Sequence, residues 1–136
     1  MAHLDDKARA FLTTGKRFAV LATINADGTA QQTVMWYDID GDEVVLNTAA
    51  GRVKDSNLKR DPRISICVED GYDFVTIAGT ARLIDDQTIA QADMAKITRR
   101  YHDDPTAVAE NLAQFAKQHR ITIRLPMERI IVRLGE

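Results

Sequence analysis

The segment Gly51-Arg52-Val53-Lys54-Asp55-Ser56-Asn57-Leu58-Lys59-Arg60-Asp61-Pro62-Arg63 holds five basic and two acidic residues, a local balance of +3 in a chain whose net charge is −2. Arginine offers a planar fork for two phosphate oxygens, and lysine adds a point charge. The segment reads as a loop running into a short helix that ends before Pro62. Free backbone N–H groups at such a junction favour an anion further. The same composition also fits a solvated basic helix that binds nothing.

Residues on either side could accept a planar ring. Asn47, Thr48, Ala49 and Gly51 close the preceding strand-like run, where small and polar side chains let a heterocycle approach the backbone. An ordinary strand exit looks the same. Gln31, Thr33, Val34 and Met35 lie on an earlier strand whose polar members suit a heterocycle edge and whose Met35, with Trp36, suits a wall. Trp36 fits a dimer interface equally well. Tyr72 and Phe74 follow an Asp-Gly turn, placed to cover a cofactor of a second subunit or to pack on their own core.

Other chemistry-bearing residues point elsewhere. His3, His102 and His119 lack metal-ligand spacing. His119 continues a helical apolar stripe with Val108, Leu112 and Phe115, which predicts a packed residue. Cys67, the only cysteine, alternates within a strand and reads as filler. Asp85-Asp86 and Asp103-Asp104 precede helices and read as caps.

The elements that position these residues are mostly strands. Leu4, Ala8, Phe11 and Leu12 predict a short N-terminal helix. Strands are predicted at 18–24, 30–39, 43–48, 64–68, 74–84, 121–125 and 130–134, several joined by Asp-Gly or Asn-x-Asp-Gly turns. Gly79 inside the fifth predicts a bend. Two helices fall between Ala90 and His119, the second after Pro105. Tight hairpins without strand–helix–strand alternation predict a mainly β (α+β) antiparallel barrel of six to seven strands with peripheral helices. No dinucleotide or Walker glycine motif is present.

The length of 136 residues predicts one domain spanning 1–136. The apolar runs are too short for a membrane span, and the acidic start differs from a signal peptide, so a cytoplasmic location is expected. Net charge −2 argues against general nucleic-acid binding.

The order of these motifs resembles a known family. Val20-Leu21-Ala22-Thr23, then Asn25-x-Asp27-Gly28, Gln31 and Tyr37, resembles the start of pyridoxamine-phosphate-oxidase-like split barrels. Arg52-x-Lys54-x-x-Asn57-Leu58-x-x-Asp61-Pro62-Arg63 is the most specific part, and Gly79-Thr80-Ala81 also fits. The likeness is strongest to the short subfamily that uses coenzyme F420, a deazaflavin. It implies a split β-barrel whose homodimer holds two cofactor sites at its interface. It implies that Arg52 and Lys54, and less closely Asn57, meet the cofactor phosphate, and that Val53 belongs to the same stretch. Lys59 and Arg60 would reach the acidic tail of F420. Asn47, Thr48 and the 31–35 strand would border the ring, and Tyr72 would come from the partner. The implied function is hydride transfer between F420 and an unsaturated small molecule. The alternatives are an FMN-binding protein of the same fold and a carrier without catalysis.

Overall fold

The structure is a computed structural model and describes residues 2–135. Helix α1 (Asp6–Thr13) starts at Asp5, whose carboxylate accepts from the Ala8 N–H at 2.7 Å. Its Ala8 and Leu12 are buried in the main core. The strands are β1 (Ala19–Ile24), β2 (Ala30–Met35), β3 (Asp38–Asp40), β4 (Glu43–Ala49), β5 (Arg63–Asp70), β6 (Asp73–Thr80), β7 (Arg82–Ile84), β8 (Arg120–Pro126) and β9 (Arg129–Arg133). Helix α2 (Val53–Arg60) separates β4 from β5. Helices α3 (Gln87–Tyr101) and α4 (Pro105–Ala116) separate β7 from β8.

The strands form two antiparallel sheets. One has the order β2-β1-β5-β6-β9 and the other β3-β4-β8-β7. Leu21, Ile66 and Ile77 from the first sheet meet Leu46, Ile123 and Leu125 from the second in one core. Alternation places these side chains inward, as a period of two requires. The two sheets are joined by strands that pass from one to the other, and the result is a split barrel of the α+β class with helices outside it.

The sequence predicts up to seven strands, and nine segments are seen among the described residues. The difference lies in two long strands, each broken where it changes sheets. The 30–39 strand breaks at Trp36-Tyr37. There the Tyr37 N–H donates to the Tyr101 hydroxyl at 3.3 Å instead of to a neighbouring strand. The Tyr37 hydroxyl donates to the Leu12 carbonyl at 2.6 Å, and its ring is fully buried. The 74–84 strand breaks at Ala81, whose N–H donates to the Pro62 carbonyl at 2.8 Å. Gly79 prepares this break, because a Cβ on it would stand 2.5 Å from the Pro126 carbonyl oxygen.

Acidic caps start both long helices. Asp86 accepts from the Thr88 and Ile89 N–H groups at 2.9 and 3.3 Å, and Asp104 accepts from that of Thr106 at 3.1 Å. Pro105 occupies the first turn of α4, where no N–H is needed. His119 departs from its expected packed position. It lies beyond the end of α4, exposed, with Nε2 2.6 Å from the Asp85 carboxylate. The helix stops at Ala116, so the 3.6-residue stripe does not extend to it.

Candidate functional site

Helix α2 is held by its buried face. Leu58 is inserted into the core, and Asn57 donates to the Thr23 hydroxyl at 3.0 Å and to Asn25 Oδ1 at 2.9 Å. Asp55 accepts from the Gly51 N–H at 2.8 Å and pairs with Lys59 at 3.3 Å. Arg60 donates to the Ile24 carbonyl and to Asn57 Oδ1. These bonds fix the helix start, where Arg52 is the N-cap and Lys54 follows in the first turn.

Arg52 and Lys54 thereby line a cleft of about 280 Å³. Val34 and Met35 at the end of β2, and Asn47 and Thr48 at the end of β4, line it too. Phe18, Trp36, Met94, Ile97, Phe115 and Arg120 complete it. Trp36 stacks on Tyr101 with ring centroids 5.3 Å apart, and Phe18 stacks on the same Tyr101 at 5.6 Å. Phe115 meets Trp36 edge-on at 6.3 Å. The cleft thus combines aromatic and thioether side chains with a group of cations.

Of the residues singled out in the sequence, Val34, Met35, Trp36, Asn47, Thr48, Arg52 and Lys54 come together here. The others lie outside the lining. Gln31 accepts from the Thr23 hydroxyl at 3.2 Å, and Thr33 sits half-buried on β2. Ala49 is buried at the end of β4, Gly51 takes a left-handed turn at φ 86°, and Val53 is exposed. Asn57, Lys59 and Arg60 spend their bonds within α2 and on its neighbours. Tyr72 is 92% exposed on the β5–β6 turn.

The cationic wall is short of acids. Neither Arg52, Lys54 nor Arg120 makes an ion pair among the described residues. Burial, with the charges of Arg52 and Arg120, pushes the Lys54 ammonium below its ordinary value. Burial and the Arg52 charge lower Arg120 to about 10, so it is still a cation at neutral pH. The Thr48 hydroxyl, 1% exposed, has no hydrogen-bond partner among the described residues. Unspent donors and uncompensated cations beside aromatic rings suit a planar, anionic ligand. Phe115 and Arg120 were not singled out for the site, because an apolar helix stripe and a strand-start arginine carry no local signal of a cleft. Met94 and Ile97 likewise read only as one apolar helix face.

The family profile described as pyridoxamine 5'-phosphate oxidase matches residues 4–128. The chain belongs to this family, one of flavin-binding, oxidoreductase-like proteins. Among solved structures, it is similar to the conserved hypothetical protein Rv2991 of Mycobacterium tuberculosis. The two are 26% identical with a TM-score of 0.78, over 98% of this chain and 93% of that one. It is also similar to a protein named F420 reductase, 24% identical with a TM-score of 0.70, over 90% of this chain and 94% of that one. At that identity the second likeness is one of fold.

Proposed function

We propose that the protein is an F420-dependent oxidoreductase that works as a homodimer, with a cofactor site in each cleft. The observation that carries the reading is the acid-free set of Arg52 and Lys54 in one cleft with the Trp36 wall. Arg52 and Lys54 hold the phosphate. Thr48 borders the ring, while Met35, Trp36 and Phe18 flank it and exclude water. Held there in its reduced form, a deazaflavin would supply a hydride to the acceptor's double bond, and a proton would complete the reduction. Among this chain's described residues the lining contains no carboxyl, imidazole, thiol or phenol, which leaves solvent or the Lys54 ammonium as the source of that proton.

The dimer reading is supported by the outer face of the five-stranded sheet. Val34 is 69% exposed there and Ile131 54%, beside half-buried Val20, Ala22 and Cys67. A second copy covering this face removes that apolar surface from water. Tyr72, from the partner, would then reach the neighbouring cleft.

FMN is the second reading, favoured by one observation. Lys59 and Arg60, the side chains expected at an acidic tail, are bonded to Asp55 and to Ile24 and Asn57. Titration of the purified protein with F420 and with FMN in parallel, read by fluorescence, tests the proposal. Tight binding of F420 alone, followed by acceptor-dependent oxidation of the reduced form, is expected. Binding of FMN alone moves the protein to the flavin reading, and F420 binding without any turnover makes it a carrier.

A further inference from the structure

Arg120 is an expensive residue to bury, and its contacts within the chain do not account for the cost. It is 4% exposed. Its Nε–H donates to Asn47 Oδ1 at 2.8 Å and Nη1 to Gln118 Oε1 at 2.6 Å. Nη2 has only the Met94 sulfur, at 3.3 Å. The guanidinium lies over the Phe115 ring, 4.8 Å from its centroid. None of these partners carries a negative charge. A buried guanidinium normally has a carboxylate against it, because desolvation is otherwise uncompensated. Five N–H donors with three in use leave two unspent.

The guanidinium is also held in place by more than packing. Asn47 accepts from Arg120 and donates to the Ala90 carbonyl at 2.9 Å and to the Thr122 hydroxyl at 3.2 Å. Thr122 in turn donates to the Asp93 carboxylate at 2.8 Å. The amide of Asn47 is therefore fully used in aiming Arg120. The nearest acid on this path is three hydrogen bonds away, too far to neutralise the charge.

We propose that Arg120 is a third anion anchor of the cleft, oriented by Asn47, and that it binds a negatively charged oxygen group of a ligand through its two unspent N–H donors. The inference rests on the reading that the cleft takes an anionic ligand. The group is a phosphate or a carboxylate, and it comes from the cofactor or from the substrate.

The test is calorimetric binding of inorganic pyrophosphate to the ligand-free protein, with thermal unfolding as a check on folding. Arg120→Gln is expected to weaken pyrophosphate at least tenfold and Arg120→Lys less. Asn47→Ala, which releases Nε, is expected to weaken it about threefold. Binding of the phosphate-free deazaflavin chromophore should not change, which a purely structural role for Arg120 would not allow. A parallel loss of F420 affinity in Arg120→Gln assigns the anion to the cofactor. Unchanged F420 affinity, with pyrophosphate still binding the F420-loaded protein through Arg120, assigns it to the substrate. If the glutamine variant fails to fold, the lysine and Asn47 variants carry the test. Unchanged pyrophosphate affinity in every folded Arg120 and Asn47 variant overturns the inference. If Arg52→Ala/Lys54→Ala abolishes pyrophosphate binding in that case, the anion-site reading stands without Arg120; if it does not, that reading falls as well.

Discussion

The protein uses its cations in two ways. Around the lower edge of the four-stranded sheet, Arg124 pairs with Asp40 at 2.7 Å and Glu43 at 3.3 Å, and Arg82 pairs with Glu43 at 2.9 Å. These contacts hold the carboxyls of Asp40 and Glu43 below their ordinary values, chiefly by hydrogen bonds from Arg124 and Arg82 respectively. In the cleft, Arg52, Lys54 and Arg120 act on one another and meet no acid. Paired charges at a surface tie strands together at little net gain. Gathered like charges repel, and Lys54 and Arg120 have also been desolvated, so the cleft is arranged for something the chain itself does not contain. Unpaired cations, rather than cations as such, mark the site.

The largest expected effect separates the two groups directly. Substituting Arg52 and Lys54 together with Ala should weaken binding of the anionic cofactor by about 2–5 kcal/mol, the scale of two lost charge-assisted contacts. Thermal stability should not fall, because removing two mutually repelling cations costs the fold nothing. An unchanged dissociation constant would break the comparison, since the cleft cations would then be as incidental to binding as those of the sheet edge.

Leu58→Ala asks whether the cleft cations depend on the seat of α2. Leu58 is 1% exposed in the main core, and its truncation should cost about 2–5 kcal/mol of stability, measurable by denaturant unfolding. Cofactor affinity should decline with it, because the same helix carries Arg52 and Lys54. Affinity that survives a loosened α2 would show that the cations find the ligand without the helix holding them.

How much of this was legible in the sequence follows from the range of each interaction. Hairpins were readable because Asp-Gly turns and period-two alternation are local; so was the α2 segment, whose basic residues all fall within residues 52–63. The breaks at Trp36-Tyr37 and Ala81 were less so, since each is made by a hydrogen bond to a distant residue, Tyr101 or Pro62. The cationic wall divides along the same line. Arg52 and Lys54 lie two apart in one motif, while Arg120 reaches them only because β8 pairs with β4, setting Arg120 opposite Ala49. Asn47 was legible as a cleft residue, but its use as a brace for Arg120 required the Thr122 and Ala90 contacts. Lys59 and Arg60 show the converse: the resemblance sets them at the acidic tail of the cofactor, and the helical period turns them to partners on the chain.

The comparison also predicts two opposite slopes with pH. Folding lowers the Lys54 pKa from 10.5, so the protonated, buried ammonium costs stability, and that cost is relieved as pH rises through the lowered value. The ligand-free protein should gain a little thermal stability over this alkaline interval. Affinity for an anionic ligand should fall over the same interval, because the ammonium that attracts it is lost. Lys54→Met should flatten both curves. Slopes of equal sign, or a slope that persists in the methionine variant, would mean that another group titrates there.

The smallest expected effect is at the sheet edge. Arg82 is exposed, and Glu43, its partner, still has Arg124 at 3.3 Å when Arg82 is removed. Arg82→Ala should therefore change unfolding free energy by no more than about 0.5 kcal/mol and leave cofactor affinity unaltered. The value matters as the reference for the cleft substitutions: it removes one cation of the same type from a place where an acid already answers it. A weakening of cofactor binding comparable with that of Arg52→Ala would show that long-range charge, and not the local cluster, attracts the ligand. Raising the salt concentration would then abolish the effect of both substitutions alike, whereas contacts inside the cleft, much shorter than the Debye length of about 8 Å at physiological ionic strength, should persist.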